Sequence, residues 1–260
     1  MFGAIAGDVI GSVYEGRPIK TRDFELFSRR STFTDDTVLT IGTADALMHA
    51  KSYVSVYHEY YARYPGAGYG AHFADWAENR RTRPYGSYGN GAAMRVSPVA
   101  WARDDLQSVL DEARASAAVT HDHPEGLKGA MATAAAVFLA RERQSKSDIA
   151  RYLTETFGYA LDRKLADIRP DYRFDVSCQG SVPESIICFL EADDYEGALR
   201  NAVSLGGDAD TMACIAGGIA EAFFRGVPGP ILEEVRRRLD PGLLAVTDRF
   251  RDRFCQGKAA

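Results

Sequence analysis

From Met212 to Phe224 the chain reads MACIAGGIAEAFF, small or apolar on nearly every face, with Glu221 its only charge. A helix that is apolar all round lies inside a protein, so the fold has to be built around this segment. The residues leading into it are Asp208-Ala209-Asp210-Thr211. A cluster of the same composition, Thr34-Asp35-Asp36-Thr37, opens a second helix predicted over Val38–Ala50. Burying these helices drags four carboxylates toward the interior, where an unpaired one is costly. Helix N-termini favour negative charge by only about 0.3–1 kcal/mol, too little for four acids. If the clusters meet in space, divalent metal is the simplest compensation. An all-oxygen ligand set then points to a hard ion, Mg²⁺ or Mn²⁺. Ordinary capping of a helix start is the competing reading of either cluster alone. In a loop entering a helix Asp208 and Asp210 can converge on one ion; within a regular helix they would point to different faces.

Composition narrows the class. With 260 residues, 46% hydrophobic and 26% charged, the chain suits a single large domain, 1–260, with ample core. A net charge of −5 and a pI near 5.6 argue against a nucleic-acid-binding surface. The basic runs Arg80-Arg81-Thr82-Arg83 and Arg236–Arg238 read as solvated faces. No apolar run reaches the roughly 18 residues of a membrane span. The N-terminal segment lacks a basic region and carries Asp8 in its apolar stretch, so no signal peptide is expected. The cysteines Cys178, Cys188, Cys214 and Cys255 form no close pair, and reduced thiols in a cytoplasmic protein are expected.

Helical patterns prevail. They are predicted over residues 2–14, 37–50, 52–63, 70–79, 104–118, 125–143, 145–157, 193–205, 228–239 and 241–254, and β-type alternation is nearly absent. Gly3, Gly7 and Gly11 stand four apart, which makes one smooth strip for close helix packing. Two stretches read as irregular, Arg80–Pro98 and Arg163–Pro183. Loops of that length in a compact domain are usually functional or disordered.

The first holds Tyr85-Gly86-Ser87-Tyr88-Gly89-Asn90-Gly91-Ala92-Ala93-Met94-Arg95. Small residues let backbone N–H groups approach a ligand, and a nest of such donors binds phosphate; a plain turn is the alternative. A side chain at Gly91 is expected to block that approach and to strain any left-handed backbone there. Thr120-His121-Asp122-His123-Pro124 reads as the punctuation of a helix start, with His121 as a hydrogen-bonding group in a pocket. No third soft ligand nearby supports zinc. Asp8 and Glu15 sit on an otherwise apolar segment as candidate salt-bridged core acids, Glu15 being better placed to reach a cleft.

Taken together these motifs resemble the ADP-ribosylglycohydrolase family. The resemblance spans almost the whole chain: GAIAGDVIGSVYEG at 3–16, FTDDT at 33–37, GNGAAMR at 89–95, THDHPEGLKGA at 120–130 and GGDADTMACIAG at 206–217. It implies an all-α fold, a compact orthogonal multi-helix bundle with a binuclear site for two Mg²⁺ (alternatively Mn²⁺) in a central cleft. Carried over position by position, it implies metal ligands at Thr34, Asp35, Asp36, Asp208, Asp210 and Thr211. It also implies a mobile glutamate at Glu15; Asp36 or Glu15 is then the candidate catalytic carboxylate that orients water or protonates the leaving group. A diphosphate-binding segment falls on Gly89, Asn90, Gly91, Ala92, Ala93 and Met94, and a substrate contact on His121. The chain is shorter than many members, so elements shaping the substrate entrance are expected to be trimmed.

The expected activity is metal-dependent cleavage of ADP-ribose from a modified acceptor, an arginine or serine side chain of an ADP-ribosylated protein. Nucleic-acid-linked ADP-ribose and small molecules such as O-acetyl-ADP-ribose are alternative substrates, and nucleic acid is otherwise no partner. An ADP-ribose-binding protein without catalysis is the alternative outside enzymes, and the intact six-ligand set argues against it. A helical phosphohydrolase built on His121-Asp122 would need more histidines at the metal and would leave both acid clusters idle.

Overall fold

The computed structural model describes residues 1–256. Over them the chain is helical: α1 Phe2–Gly11, α2 Asp35–His49, α3 Tyr53–Arg63, α4 Ala71–Glu78 and α5 Gly91–Met94. Then come α6 Ser97–Ala102, α7 Leu106–Ala118, α8 Pro124–Arg141, α9 Lys146–Phe157 and α10 Leu165–Ile168. The last five are α11 Cys178–Leu190, α12 Tyr195–Val203, α13 Ala209–Phe223, α14 Gly229–Arg238 and α15 Pro241–Phe254. Extended backbone among the described residues amounts to an isolated antiparallel bridge between Gly89 and Ser177. The all-α expectation holds, and no helix in this range is long and apolar enough to cross a membrane.

At the centre lies α13, buried along nearly its whole length and packed on α1, α8, α11 and α12. The glycine strip of α1 makes the tightest of these contacts. A methyl group built on Gly3 would stand 2.4 Å from the Gly217 carbonyl oxygen, one on Gly7 2.0 Å from that of Ala213, and one on Gly11 2.4 Å from the Asp210 Cα. Advancing along α1 meets receding numbers in α13, so the two helices run antiparallel, backbone on backbone. Glu221 is the charge this arrangement has to satisfy, and it accepts hydrogen bonds from the Met1 amino group and from Gly3 N at 2.8 Å. Antiparallel packing carries a functional consequence: the C-terminal end of α1, leading to Glu15, lies against the N-terminal end of α13, where Asp208 and Asp210 stand.

Since neither backbone can give way, Gly7→Ala is expected to destabilise the fold by about 3 kcal/mol, the upper part of the usual range for overpacking. Chemical denaturation measures it. A loss under about 0.5 kcal/mol, the level of a neutral surface change, would show that the helices part freely.

Two sequence expectations need correction. The first helix stops at Gly11, and residues 12–16 form turns that release Glu15 from the core. Both stretches read as irregular contain helix: Arg80–Pro98 holds α5 and the start of α6, and Arg163–Pro183 holds α10 and the start of α11. Pro183 lies inside α11 and removes one backbone donor. Ser177 nevertheless caps the helix by accepting from Gly180 N, and Val182, Ile186 and Phe189 are fully buried. Burial of that face outweighs the lost bond.

Candidate functional site

The two acid clusters meet. Asp8, one turn before the end of α1, organises the first of them. Its Oδ2 accepts from Thr34 N at 2.9 Å, from Thr37 N at 3.1 Å and from the Thr37 hydroxyl, while Oδ1 accepts from Thr34 Oγ1 at 2.8 Å. Asp8 is thus bound by amides and hydroxyls, not by the salt bridge expected of a core acid. It ties the start of α2 to the central helix pair. From α13, Thr211 Oγ1 donates to Asp36 Oδ2 at 3.3 Å, joining the clusters directly. Asn90, in the glycine-rich loop, donates from Nδ2 to Asp208 Oδ2 at 2.8 Å.

Capping explains only part of this. Thr34 caps α2 by accepting from Asp36 N at 3.3 Å. Asp208 holds the corresponding position of α13 but accepts no capping bond from that helix. Carboxylate oxygens of Asp8, Asp36 and Asp210 lie within 4.8 Å of one another, and so do those of Glu15, Asp208 and Asp210. Asp210 belongs to both groups. Asp35 lines the same cleft beside Gly68 but joins neither group among the described residues.

The electrostatics are unfavourable for protein alone. None of the ion pairs among the described residues involves Glu15 or these aspartates. Burial pushes Asp8 up to about 6, held down in part by its bonds from Thr34 and Thr37. Burial, and then the charge of Asp8, lifts Asp35 to about 8. Burial and neighbouring carboxylates drive Asp36 and Asp210 well above the usual range, and Asp208 and Glu15 are raised as well. Among the described residues, the Oδ1 atom of Asp36 is buried without a hydrogen-bond partner. An orphaned buried carboxylate oxygen within an all-oxygen cluster fits a hard divalent cation.

Above the acids opens a cleft of about 340 Å³, within the range of small-ligand sites. Of the predicted substrate residues, Gly89, Asn90, Gly91, Met94 and His121 line it. Ala92 and Ala93 do not; their side chains are fully buried in the core, since the chain turns inward at Asn90 to form α5. Gly91 is not left-handed either; in this loop that conformation belongs to Gly86, at φ 67°. A Cβ on Gly91 would instead stand 3.3 Å from His121 Nε2.

The THDHP motif divides its labour. Asp122 accepts from Gly86 N at 2.8 Å and braces the loop, His123 caps α8 by accepting from Glu125 N, and His121 lines the cleft. Burial, and then the adjacent Arg95 charge, holds His121 well below the ordinary histidine range, so the ring is neutral. No histidine joins the acid groups: His49 pairs with Asp45, and His58 packs on Trp76. A wall that sequence reasoning missed consists of His72, Phe73 and Tyr85. Phe73 holds an ordinary buried position of α4 and His72 an exposed one, and nothing local sets either apart. Asp8 was legible only as a lone acid on an apolar helix.

Comparison with known proteins agrees with this geometry. The ADP-ribosylglycohydrolase family pattern matches residues 1–259. ADP-ribosylhydrolase ARH3 of Bos taurus is 28% identical, over 85% of this chain and 83% of the bovine one. The Homo sapiens protein of that name is 27% identical, over 85% and 83%. A solved structure described as an ADP-ribosylglycohydrolase-related protein complex superposes with a TM-score of 0.72 at 22% identity, covering 96% of this chain and 95% of that one. At that identity the superposition speaks for the fold, while the family match runs through the acid clusters, the glycine-rich loop and His121. This chain belongs to the ADP-ribosylglycohydrolase family and is a hydrolase of glycosidic bonds.

Proposed function

We propose that the chain is a divalent-metal-dependent hydrolase releasing ADP-ribose from a modified acceptor, in the first place an arginine or serine side chain of an ADP-ribosylated protein. The observation that carries this reading is the partnerless Asp36 Oδ1, sealed in a carboxylate cluster at the base of a ligand-sized cleft. Thr34, Asp35, Asp36, Asp208, Asp210 and Thr211 would hold two Mg²⁺ or Mn²⁺ ions. Such ions supply Lewis-acid polarisation of hydroxyl and water oxygens.

The chain's own residues do the rest. Asp8 and Asn90 hold the acids in place through the bonds described above. Glu15 stands at the exposed mouth with its pKa raised by burial and by Asp208, suited to exchanging a proton with solvent or with the leaving atom. Asp36 is sealed from solvent and suited to orienting a neighbouring oxygen. The glycines at 89 and 91 leave room for a diphosphate, and His121 bounds that room from below.

Mass spectrometry of arginine-, serine- and DNA-linked ADP-ribose and of O-acetyl-ADP-ribose, with and without divalent cation, tests the function. Free ADP-ribose is expected from at least one of them, only with cation. Release of inorganic phosphate instead, or full turnover in chelator, would overturn the proposal.

Gly91→Val is expected to weaken ADP-ribose binding by at least about tenfold, since the new methyl groups would press on His121 and fill the diphosphate space. Mn²⁺ affinity should hold, because no proposed ligand touches Gly91. Calorimetric titration of each into the variant separates the effects, and unchanged ADP-ribose affinity would reduce the loop to a turn.

A further inference from the structure

Arg95 is the one fully buried guanidinium in the wall of this cleft, and no ion pair among the described residues reaches it. Its Nε and Nη1 have no hydrogen-bond partner among the described residues. The charge is stacked on the Tyr57 ring at 4.3 Å, with Phe73 at 6.0 Å, the usual compensation for a desolvated arginine. Its strongest polar contact is Nη2 donating to Thr120 Oγ1 at 2.7 Å, with the Ser116 carbonyl at 3.4 Å.

That contact decides a proton further on. Thr120 Oγ1 lies 2.8 Å from His121 Nδ1 and 3.5 Å from the Ala117 carbonyl oxygen. Arginine can only donate, so Thr120 must accept from it and has a single proton left to give. If His121 carried its proton on Nδ1, Oγ1 would accept twice, and its own proton would be left with a carbonyl at the limit of hydrogen-bond length. If instead the hydroxyl donates to Nδ1, Thr120 Oγ1 and His121 Nδ1 are both satisfied at short distance, and the ring proton sits on Nε2. The nitrogen thereby made a donor lies beneath Gly89 and Gly91, 3.8 and 3.3 Å from where their Cβ atoms would be.

We propose that Arg95 and Thr120 are positioning residues that lock His121 as an Nε2–H donor, so that the ADP-ribosyl atom seated over it is a hydrogen-bond acceptor. The ligand half of this rests on the proposed function; the tautomer does not. Histidine here recognises an acceptor and takes no proton from it. A ligand group that can only donate is turned away at this position, because it would meet a second donor.

Nitrogen NMR of protein labelled at histidine, with the His121 signals assigned by their loss in His121→Gln, reads the ring directly without ligand. The wild type is expected to show a neutral ring protonated at Nε2 near neutral pH. Thr120→Val, which keeps the shape and removes the hydroxyl, should spread the proton over both nitrogens and weaken free ADP-ribose binding by about three- to tenfold. Thr120→Ser should restore both readouts. A wild-type ring protonated at Nδ1, or a doubly protonated one, overturns the proposal even if the valine variant fails to fold. Unchanged tautomer and affinity in a folded Thr120→Val protein would overturn it as well. A locked Nε2–H ring in a protein that binds no ADP-ribose would refute the ligand half and the functional reading together.

Discussion

Replacing Asp210 by asparagine is expected to lower the hydrolysis rate by at least about a thousandfold, roughly 4 kcal/mol of lost transition-state stabilisation, with no loss of fold. Asp210 is the one residue common to both groups of converging carboxylates, so its charge serves whatever cation either group holds. The amide fills the same space and removes one of several buried, mutually repelling acids. The melting temperature of the metal-free variant should therefore hold or rise while Mn²⁺ affinity collapses. Asp8→Asn provides the contrast. Asp8 receives four hydrogen bonds from Thr34 and Thr37, and an amide places a donor where one of those donors points. A buried donor left unpaired costs about 1–3 kcal/mol, so that variant should lose stability even without metal. Rates, calorimetric metal titrations and thermal melts of both variants check this. If Asp210→Asn unfolds without metal while metal affinity stays intact, its carboxylate is structural and the site reading is wrong.

The contrast also shows what local sequence can reveal. Asp35, Asp36, Asp208 and Asp210 announce themselves because charge in front of an all-apolar helix is locally anomalous, and the strip of Gly3, Gly7 and Gly11 because its spacing repeats. Asp8 looked like a stray core acid, since its partners Thr34 and Thr37 lie 26 and 29 residues away. Only the packing of α1 against the start of α2 brings those segments together. Phe73 was missed for a related reason: a cleft-wall aromatic and a core position on a helix look the same in one dimension. Ala92 and Ala93 fell within a motif whose resemblance is to a whole segment, yet the turn at Asn90 sends their side chains into the core. Motif membership says which segment meets a ligand, and backbone geometry says which of its atoms do.

The same cluster of acids should make the benefit of metal to stability depend steeply on pH. Without metal, each raised carboxylate binds its proton more tightly in the folded chain than in the unfolded one. Folding then takes up protons, and stability falls as pH rises through the interval between the two values. For Asp8 the interval runs from 3.8 to about 6, and for Asp35 from 3.8 to about 8, with burial the leading cause in both. A divalent cation held by the acids, as proposed, would offset their repulsion where they are ionised and would compete with protons where they are not. The gain in melting temperature on adding saturating Mg²⁺ or Mn²⁺ should therefore be near zero close to pH 4, and should climb through pH 6 to its full size near pH 8. Taking the difference between melts with and without metal at each pH cancels the titration of every surface group. A gain that is flat across the range, or absent at pH 8, would mean the carboxylates are paired by protein alone, and the cation would lose its place in the cleft.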